Sequence, residues 1–328
     1  MEVLVSVIVP IYNVEKYIEK CARSLLEQTY NNIQYVFIND CTKDNSIEIL
    51  KKTLLEYPNR LENVKIVNHK TNMGLACARN TGIENASGDF VVHVDSDDTI
   101  DIRTIELCVN KAVEEKADAV IFGMRHLMAS GEFFEHVYVP ENHQTYIKQL
   151  LTRKALVCMC GGLYKRSLYV DNNVGAIPGL NMGEDYSTKP RLLYYAKRVV
   201  ALDLPLYNYN HINEQSYTRV FNSNRIDNLQ KAINVLSSFF SAQTDYDVYK
   251  DSLNAASLSS KVILLKSWAI SKSSKSDFRR IRKLYEDIDV CYIESCIDRL
   301  ILYLTKMNMS FVVRIIVLGG VKIKSLIR

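Results

Sequence analysis

The stretch Phe90 to Asp98, FVVHVDSDD, runs from apolar, mostly β-branched residues straight into three carboxylates within four positions. Phe90 to Val94 reads as a strand buried on both faces, because it shows no polar alternation. Asp95, Asp97 and Asp98 then stand at its carboxyl end, where like charges repel unless water screens them or a cation lies between them. By itself the stretch fits a solvated acidic turn as well as a metal site. Its neighbours along the chain decide between the two.

Working outward, Val5 to Val9, Ile33 to Ile38, Val64 to Val67 and Ala119 to Phe122 are further short apolar runs. Helical patterns separate them. Val14 to Leu26 sets Val14, Tyr17, Ile18, Cys21 and Leu25 at helical spacing, and Ser46 to Glu56, Leu75 to Asn85 and Ile105 to Glu115 come next. Strand and helix alternating at this spacing predict right-handed crossovers and a mostly parallel, Rossmann-like α/β sheet. Ligands of such sheets gather at the carboxyl ends of the strands. Those ends carry Pro10, Tyr12 and Asn13; Asn39, Asp40, Thr42 and Asp44; His69 and Asn72; and the three aspartates. Each is a common turn or cap residue, but all would meet at one edge.

Beyond Gly123 the pattern loosens. A hairpin is expected at Glu132 to Val139, and Cys158 to Gly162 is a stretch of small residues. The run GLNMGEDYSTKPRLLYYA predicts a helix over Tyr186 to Ala196, with Pro190 near its first turn or bending it. Val199 to Tyr209 reads as a strand. From Asn224 the sequence is helical, with segments at Ile226–Phe240, Tyr249–Ile270, Asp277–Tyr285, Tyr292–Leu304 and Phe311–Ile327. The expected organisation is a domain over 1–222, whose regular α/β pattern ends near residue 125, and a helical extension over 223–328.

At 328 residues, one large domain plus an extension is the expected size. The net charge of +4 is too small to suggest nucleic acid, and its distribution says more. Lys272 to Arg328 holds 12 Lys and Arg against 6 Asp and Glu, whereas the preceding residues hold 29 against 31. From Leu300 onward there is no acid, and Lys306, Arg314, Lys322, Lys324 and Arg328 alternate with apolar residues. Such a helix either lies on an anionic membrane surface or packs on a core with its cations reaching outward. The eight cysteines are dispersed, which suits reduced thiols in a cytoplasm. A signal peptide and a membrane span are not expected: Pro10 and Asn13 cut the first apolar run, and none approaches about 18 residues.

Neither a dinucleotide fingerprint, nor a P-loop, nor a nucleophile elbow occurs, so a phosphorylated ligand on this sheet would need a cation to neutralise it. Asp95-Ser96-Asp97 can offer carboxylate oxygens to Mg²⁺ or Mn²⁺. Taken in order, VSVIVPIYN, INDCTKDNS, NMGLACARNTG, HVDSDD and GED resemble the motifs of the inverting nucleotide-sugar glycosyltransferases of family 2, which have the GT-A fold. The resemblance covers about residues 3 to 218.

It implies a metal-assisted enzyme, using Mn²⁺ or Mg²⁺, that moves a sugar from a nucleoside diphosphate, typically UDP, to a glycan or lipid-linked hydroxyl in cell-surface polysaccharide synthesis. Pro10 and Tyr12 match positions lining the nucleoside pocket, and Asp40 the acid that accepts from the base. Asn39 stands where many members have Asp and Cys41 where many have Gly, which loosens the choice of base. Asn72 and Arg79 match residues near the ribose and diphosphate; Arg79 reads equally well as an exposed helix charge. Asp95, with Ser96, matches the position near the ribose or sugar, and Asp97 the metal ligand, while Asp98 can cap the element after it. Asp185 matches the base that deprotonates the acceptor, with Glu184 as the fallback. His211 lies where related enzymes bring a side chain to the metal or diphosphate, or else is a surface histidine, and YNYNHINEQSYTR resembles the family's aromatic segment with its Ser-x-Ser/Thr pair. The rival readings are a sugar-phosphate nucleotidyltransferase, which would carry a Gly-rich activating loop after the first strand, and a non-catalytic nucleotide-sugar-binding module. The C-terminal tail is expected to touch the inner face of a cell membrane.

Overall fold

The computed structural model describes residues 2–180, 182–211, 223–271 and 273–327. The chain divides into two compact units, Met1–Leu150 with Ala155–Ser216, and Tyr217–Arg328 with Leu151–Lys154. The boundary expected near residue 222, and the Ser-x-Ser/Thr pair at Ser216 to Thr218, fall in 212–222, outside the described residues.

The first unit is built on a nine-stranded sheet: β1 Val5–Ile11, β2 Ile33–Asn39, β3 Val64–Asn68, β4 Phe90–His93, β5 Thr99–Ile100, β6 Ala119–Met128, β7 Gly131–Glu135, β8 Gly162–Lys165 and β9 Val199–Asn210. Its order is β3-β2-β1-β4-β8-β6-β9-β5, with β7 on β6. The helices are α1 Ile18–Leu26, α2 Ser46–Leu54, α3 Leu75–Asn85, α4 Thr104–Glu114, α5 His143–Leu151, α6 Arg166–Val170 and α7 Glu184–Tyr194.

β3, β2, β1 and β4 are parallel, as the buried apolar runs predict, and every residue of β1 is buried. The chain steps from β1 through β2 to β3 on one side and then places β4 on the other, so the strand order reverses between β1 and β4. At such a reversal the carboxyl ends splay into a crevice. α3 packs unusually close on this half: a Cβ on Gly82 would stand 2.2 Å from Ile8 Cγ2 and 3.2 Å from Ile38 Cδ1.

Past β4 the sheet is mixed. β8 lies antiparallel between β4 and β6, β6 and β9 run parallel with a register shift between Phe122 and Met124, and β5 and β7 pair antiparallel with β9 and β6. The hairpin forms earlier than the sequence predicts, from Met128 to Gly131, because β6 extends past its apolar half through Arg125 and His126. Pro190 is the seventh residue of α7, beyond the first turn expected for it. α7 is buried on nearly all sides, and its polar groups are satisfied locally. Lys189 Nζ donates to the Cys158 carbonyl at 2.9 Å, and Arg191 donates to the carbonyls of Ser187 and Gly175 at 2.5 and 2.7 Å.

The second unit is helical: α8 Asn224–Ser241, α9 Tyr246–Ile270, α10 Lys275–Arg282, α11 Cys296–Lys306 and α12 Ser310–Ile327. Trp268 on α9 centres an apolar core with Leu265, Phe278, Ile301, Val313 and Val317. Buried Lys261 is tolerated because its Nζ donates to the carbonyls of Arg282 and Leu284 at 2.7 and 2.5 Å.

Candidate active site

The crevice between β1 and β4 collects most of the residues singled out in the sequence. Pro10 is buried in β1, and Tyr12 stands exposed just past its end. Past β2, Asn39 and the residue after it make a tight turn. The Asn39 side chain accepts from Thr42 N at 2.9 Å and donates to Asn68 at 2.9 Å, and Cys41 sits in the left-handed region at φ 58.

Asp40, expected to accept from the nucleobase, is held in place by the chain's own groups. It is 3% exposed, and its oxygens take N–H groups from Met73 at 2.7 Å and Gly74 at 2.8 Å and pair with His69 Nδ1 at 2.7 Å. A carboxylate accepts about four hydrogen bonds, so these three partners orient Asp40 without exhausting it. Asp40 therefore fixes the 69–74 segment against β2. The positive φ of Gly74, 86°, lets that segment turn into α3, and Asn72 remains exposed on it.

After β4 the side chains alternate. Asp95 and Asp97 are half-buried, whereas Ser96 and Asp98 are buried. Ser96, expected near the donor, has its side chain turned inward by the period-two alternation. Asp98 clamps β9, accepting from Tyr207 Oη and Asn210 N, each at 2.7 Å. Burial, followed by the charges of Asp97 and Asp95, raises its pKa well above the ordinary range. Tyr207 Oη also receives Asp95 N at 3.1 Å, and Asn210 Nδ2 reaches the Asp97 carbonyl at 3.3 Å. The acidic turn is thus held from behind by β9.

Arg79 is the centre of the arrangement. The alternative of an exposed helix charge is overturned, because Arg79 is 4% exposed. Its Nη2 donates to Asp95 Oδ1 at 3.0 Å and its Nη1 to Glu184 Oε1 at 3.1 Å, and Nη1 also pairs with Asp185 Oδ1. One guanidinium therefore ties the turn after β4 to the first turn of α7. Burial opposes its charge, but Asp185 and Asp95 outweigh burial and keep it cationic.

Asp185 also accepts from Met159 N at 3.2 Å. Burial raises the pKa of both Asp185 and Glu184; Arg79 pulls each back, and their neighbouring carboxylates push each further up. Gly183, at φ 85, lets the chain enter α7 with both acids facing Arg79. Beneath the site His93 is held neutral by burial and by Arg79, its pKa pushed down to about 3.

His211, expected at the metal, has its Nε2 on His126 Nδ1 at 2.8 Å, and His126 Nε2 meets Glu135 at 2.8 Å, with Phe133 stacked on the His126 ring. This carboxylate–imidazole–imidazole chain is not legible in the sequence, because its members lie on β6, β7 and the end of β9.

Among the described residues, no three His, Cys, Asp or Glu side chains form a group that could hold a metal ion. The donor chemistry still fits a hard divalent cation. Asp95, Glu184 and Asp185 share one guanidinium, that of Arg79, while Asp97 and Asp98 add further carboxylates to the same turn. Mg²⁺-like ions take one or two carboxylates and complete their shell with phosphate oxygens and water.

Comparison with known proteins gives the family and the fold. GlyA, a glycosyltransferase of Streptococcus pneumoniae serotype 4, is 35% identical over 231 residues, 66% of this chain and 32% of its own length. EpsJ of Bacillus subtilis, an uncharacterized glycosyltransferase, is 27% identical over 95% of each chain. The chain thus spans about a third of the first relative and nearly all of the second. Among solved structures, residues 1–349 of S. aureus TarS superpose with a TM-score of 0.73 at 19% identity, over 97% of this chain and 91% of that one, and the same fragment has been solved with UDP-GlcNAc. The description Glycosyl transferase family 2 matches residues 6–172, and the chain is accordingly a glycosyltransferase of that family with a GT-A-like fold.

Proposed function

We propose that this enzyme transfers a sugar from a nucleoside-diphosphate donor, in the first instance a UDP-sugar, to a hydroxyl of a glycan or lipid-linked acceptor, with inversion, in the synthesis of cell-surface polysaccharide. The observation that carries the reading is the Arg79 bridge, which holds Asp185 beside the Asp95 end of the acidic turn. The UDP-GlcNAc complex of TarS supports the donor class.

In this mechanism the nucleoside lies over Pro10 and Tyr12, with Asn72 on the segment that Asp40 fixes. Asp185 takes the proton of the acceptor hydroxyl as that oxygen forms its bond to the anomeric carbon from the face opposite the leaving group. The bond between anomeric carbon and phosphate oxygen breaks, and the electron pair leaves with the nucleoside diphosphate. The raised pKa of Asp185 makes it a better base than an ordinary aspartate, and Arg79 with Met159 N fixes its orientation. Mn²⁺ or Mg²⁺, held by Asp97, would neutralise the charge developing on the diphosphate. His211, whose Nε2 meets His126 Nδ1, is the second residue that the family resemblance assigns to the metal or diphosphate. The catalytic unit is taken as 1–222, and contact of the C-terminal tail with a cytoplasmic membrane face belongs to the same reading.

Incubation with UDP-, GDP- and dTDP-sugars plus Mn²⁺ tests the function. Release of nucleoside diphosphate is expected. Pyrophosphate released from a nucleoside triphosphate and a sugar phosphate would instead indicate a nucleotidyltransferase, and binding without turnover a non-catalytic module.

A further inference from the structure

The second unit carries an apolar surface that its own core does not use. α11 and α12 each bury one face, Ile301, Leu302 and Thr305 on the former and Val313 and Val317 on the latter. A helix of this kind ordinarily turns a charged face outward. Here the outward positions are Ile297, Leu300 and Tyr303 on α11, three residues apart, and Phe311, Ile315 and Leu318 on α12, at helical spacing, all 41% to 75% exposed. These are stripes on two consecutive helices that pack against one another, not scattered singletons, and exposed apolar surface so grouped marks an interaction site.

The charge pattern identifies what covers it. From Arg299 to Arg328 there are six Lys and Arg and no Asp or Glu. Arg314 is turned inward, over the core Trp268 ring at 4.4 Å, whereas exposed Lys306 sits where α11 ends, between the two stripes in sequence. A second copy of this face would bring cation against cation. A surface of phosphate head groups over acyl chains complements both features, taking the apolar side chains into its boundary and the cations at its anionic plane. No described helix is long and apolar enough to cross a membrane, which suits a segment that lies in the interface.

We propose that the outward face of α11 and α12 docks on the surface of an anionic phospholipid bilayer. This rests on the membrane contact included in the proposed function, gives it a defined surface, and is independent of the transfer chemistry. The test is co-sedimentation of the full chain with vesicles of phosphatidylcholine alone and of phosphatidylcholine with phosphatidylglycerol at two to one. Binding is expected to the anionic vesicles only and to weaken with added salt. Phe311→Glu with Ile315→Glu is expected to reduce it at least about tenfold while leaving donor hydrolysis and the thermal midpoint unchanged, because both side chains are exposed. Lys306→Glu tests the charge separately and decides the matter should the double variant misfold. Equal binding to neutral vesicles, absence of binding, unchanged binding by the variants, or a dimer in light scattering that the same substitutions dissolve would each overturn the proposal. Absence of donor turnover in the unaltered chain would instead refute the transfer reading and leave the vesicle result standing.

Discussion

In the proposed mechanism Arg79 holds and Asp185 reacts, and substitution separates the two. Arg79 faces three carboxylates from within the protein, so removing it leaves buried negative charge without a partner. Arg79→Met is therefore expected to destabilise by about 3–5 kcal/mol in urea titration, and Arg79→Lys, which keeps the charge but lacks a fork for three partners, by a smaller amount. Asp185→Asn keeps the shape and a pairing group but cannot accept the proton. It is expected to lower kcat by at least about a thousandfold with donor affinity, measured calorimetrically, little changed. The pH dependence has a fixed sign. A base works deprotonated, so kcat/KM should fall as pH drops through the raised pKa of Asp185, giving an acid limb above the ordinary aspartate range. A limb at an unperturbed aspartate value would remove Asp185 from the role.

At the scale of elements, β1, β2 and β4 were legible because burial on both faces writes itself as unbroken apolar runs, the partly exposed edge strand β3 showed only the short stretch Val64 to Val67, and α3 was legible from Leu75 to Asn85. What escaped was short or borrowed its stability from partners. β5 has two residues and β8 four, GLYK, too few for a period to emerge, and the polar half of β6 is a strand because β7 and β9 supply its hydrogen bonds. The acids of the site were readable as residues, since Asp95, Asp97 and Asp185 stand at strand and helix ends. That Arg79 joins Asp95 to Asp185 was not, because an arginine on a helix gives no sign of the face it occupies. The same contrast appears at Cys41. The resemblance marks it as a position where glycine is common, and the left-handed φ of 58 supplies the reason: a Cβ there crowds the backbone. Cys41→Gly is accordingly expected to stabilise the fold by about 1 kcal/mol, less the added entropy of the unfolded chain, whereas Gly82→Ala, driven against Ile8, is expected to destabilise it by about 1–3 kcal/mol. Urea midpoints of the two variants should move in opposite directions.

Over the whole molecule the charge is sorted, acid into the crevice of the first unit and base into the C-terminal helices, and the first of these makes ligand binding a stability measurement. A ligand that binds only the folded chain stabilises it by an amount set by concentration over Kd, about 2.7 kcal/mol at a hundredfold ratio. UDP alone would bring a diphosphate to a turn already crowded with Asp95, Asp97 and Asp98, and the like charges should make that binding weak. Adding Mn²⁺ reverses the sign of the local interaction. UDP with Mn²⁺ is therefore expected to raise the thermal midpoint well beyond either component alone, and excess chelator to cancel the rise. Asp97→Asn removes one carboxylate from a half-buried position, so its unliganded midpoint should stay near that of the unaltered chain while the joint stabilisation disappears. If UDP stabilises the chain equally with and without the metal, the cation has no part in holding the donor and the role given to Asp97 is lost.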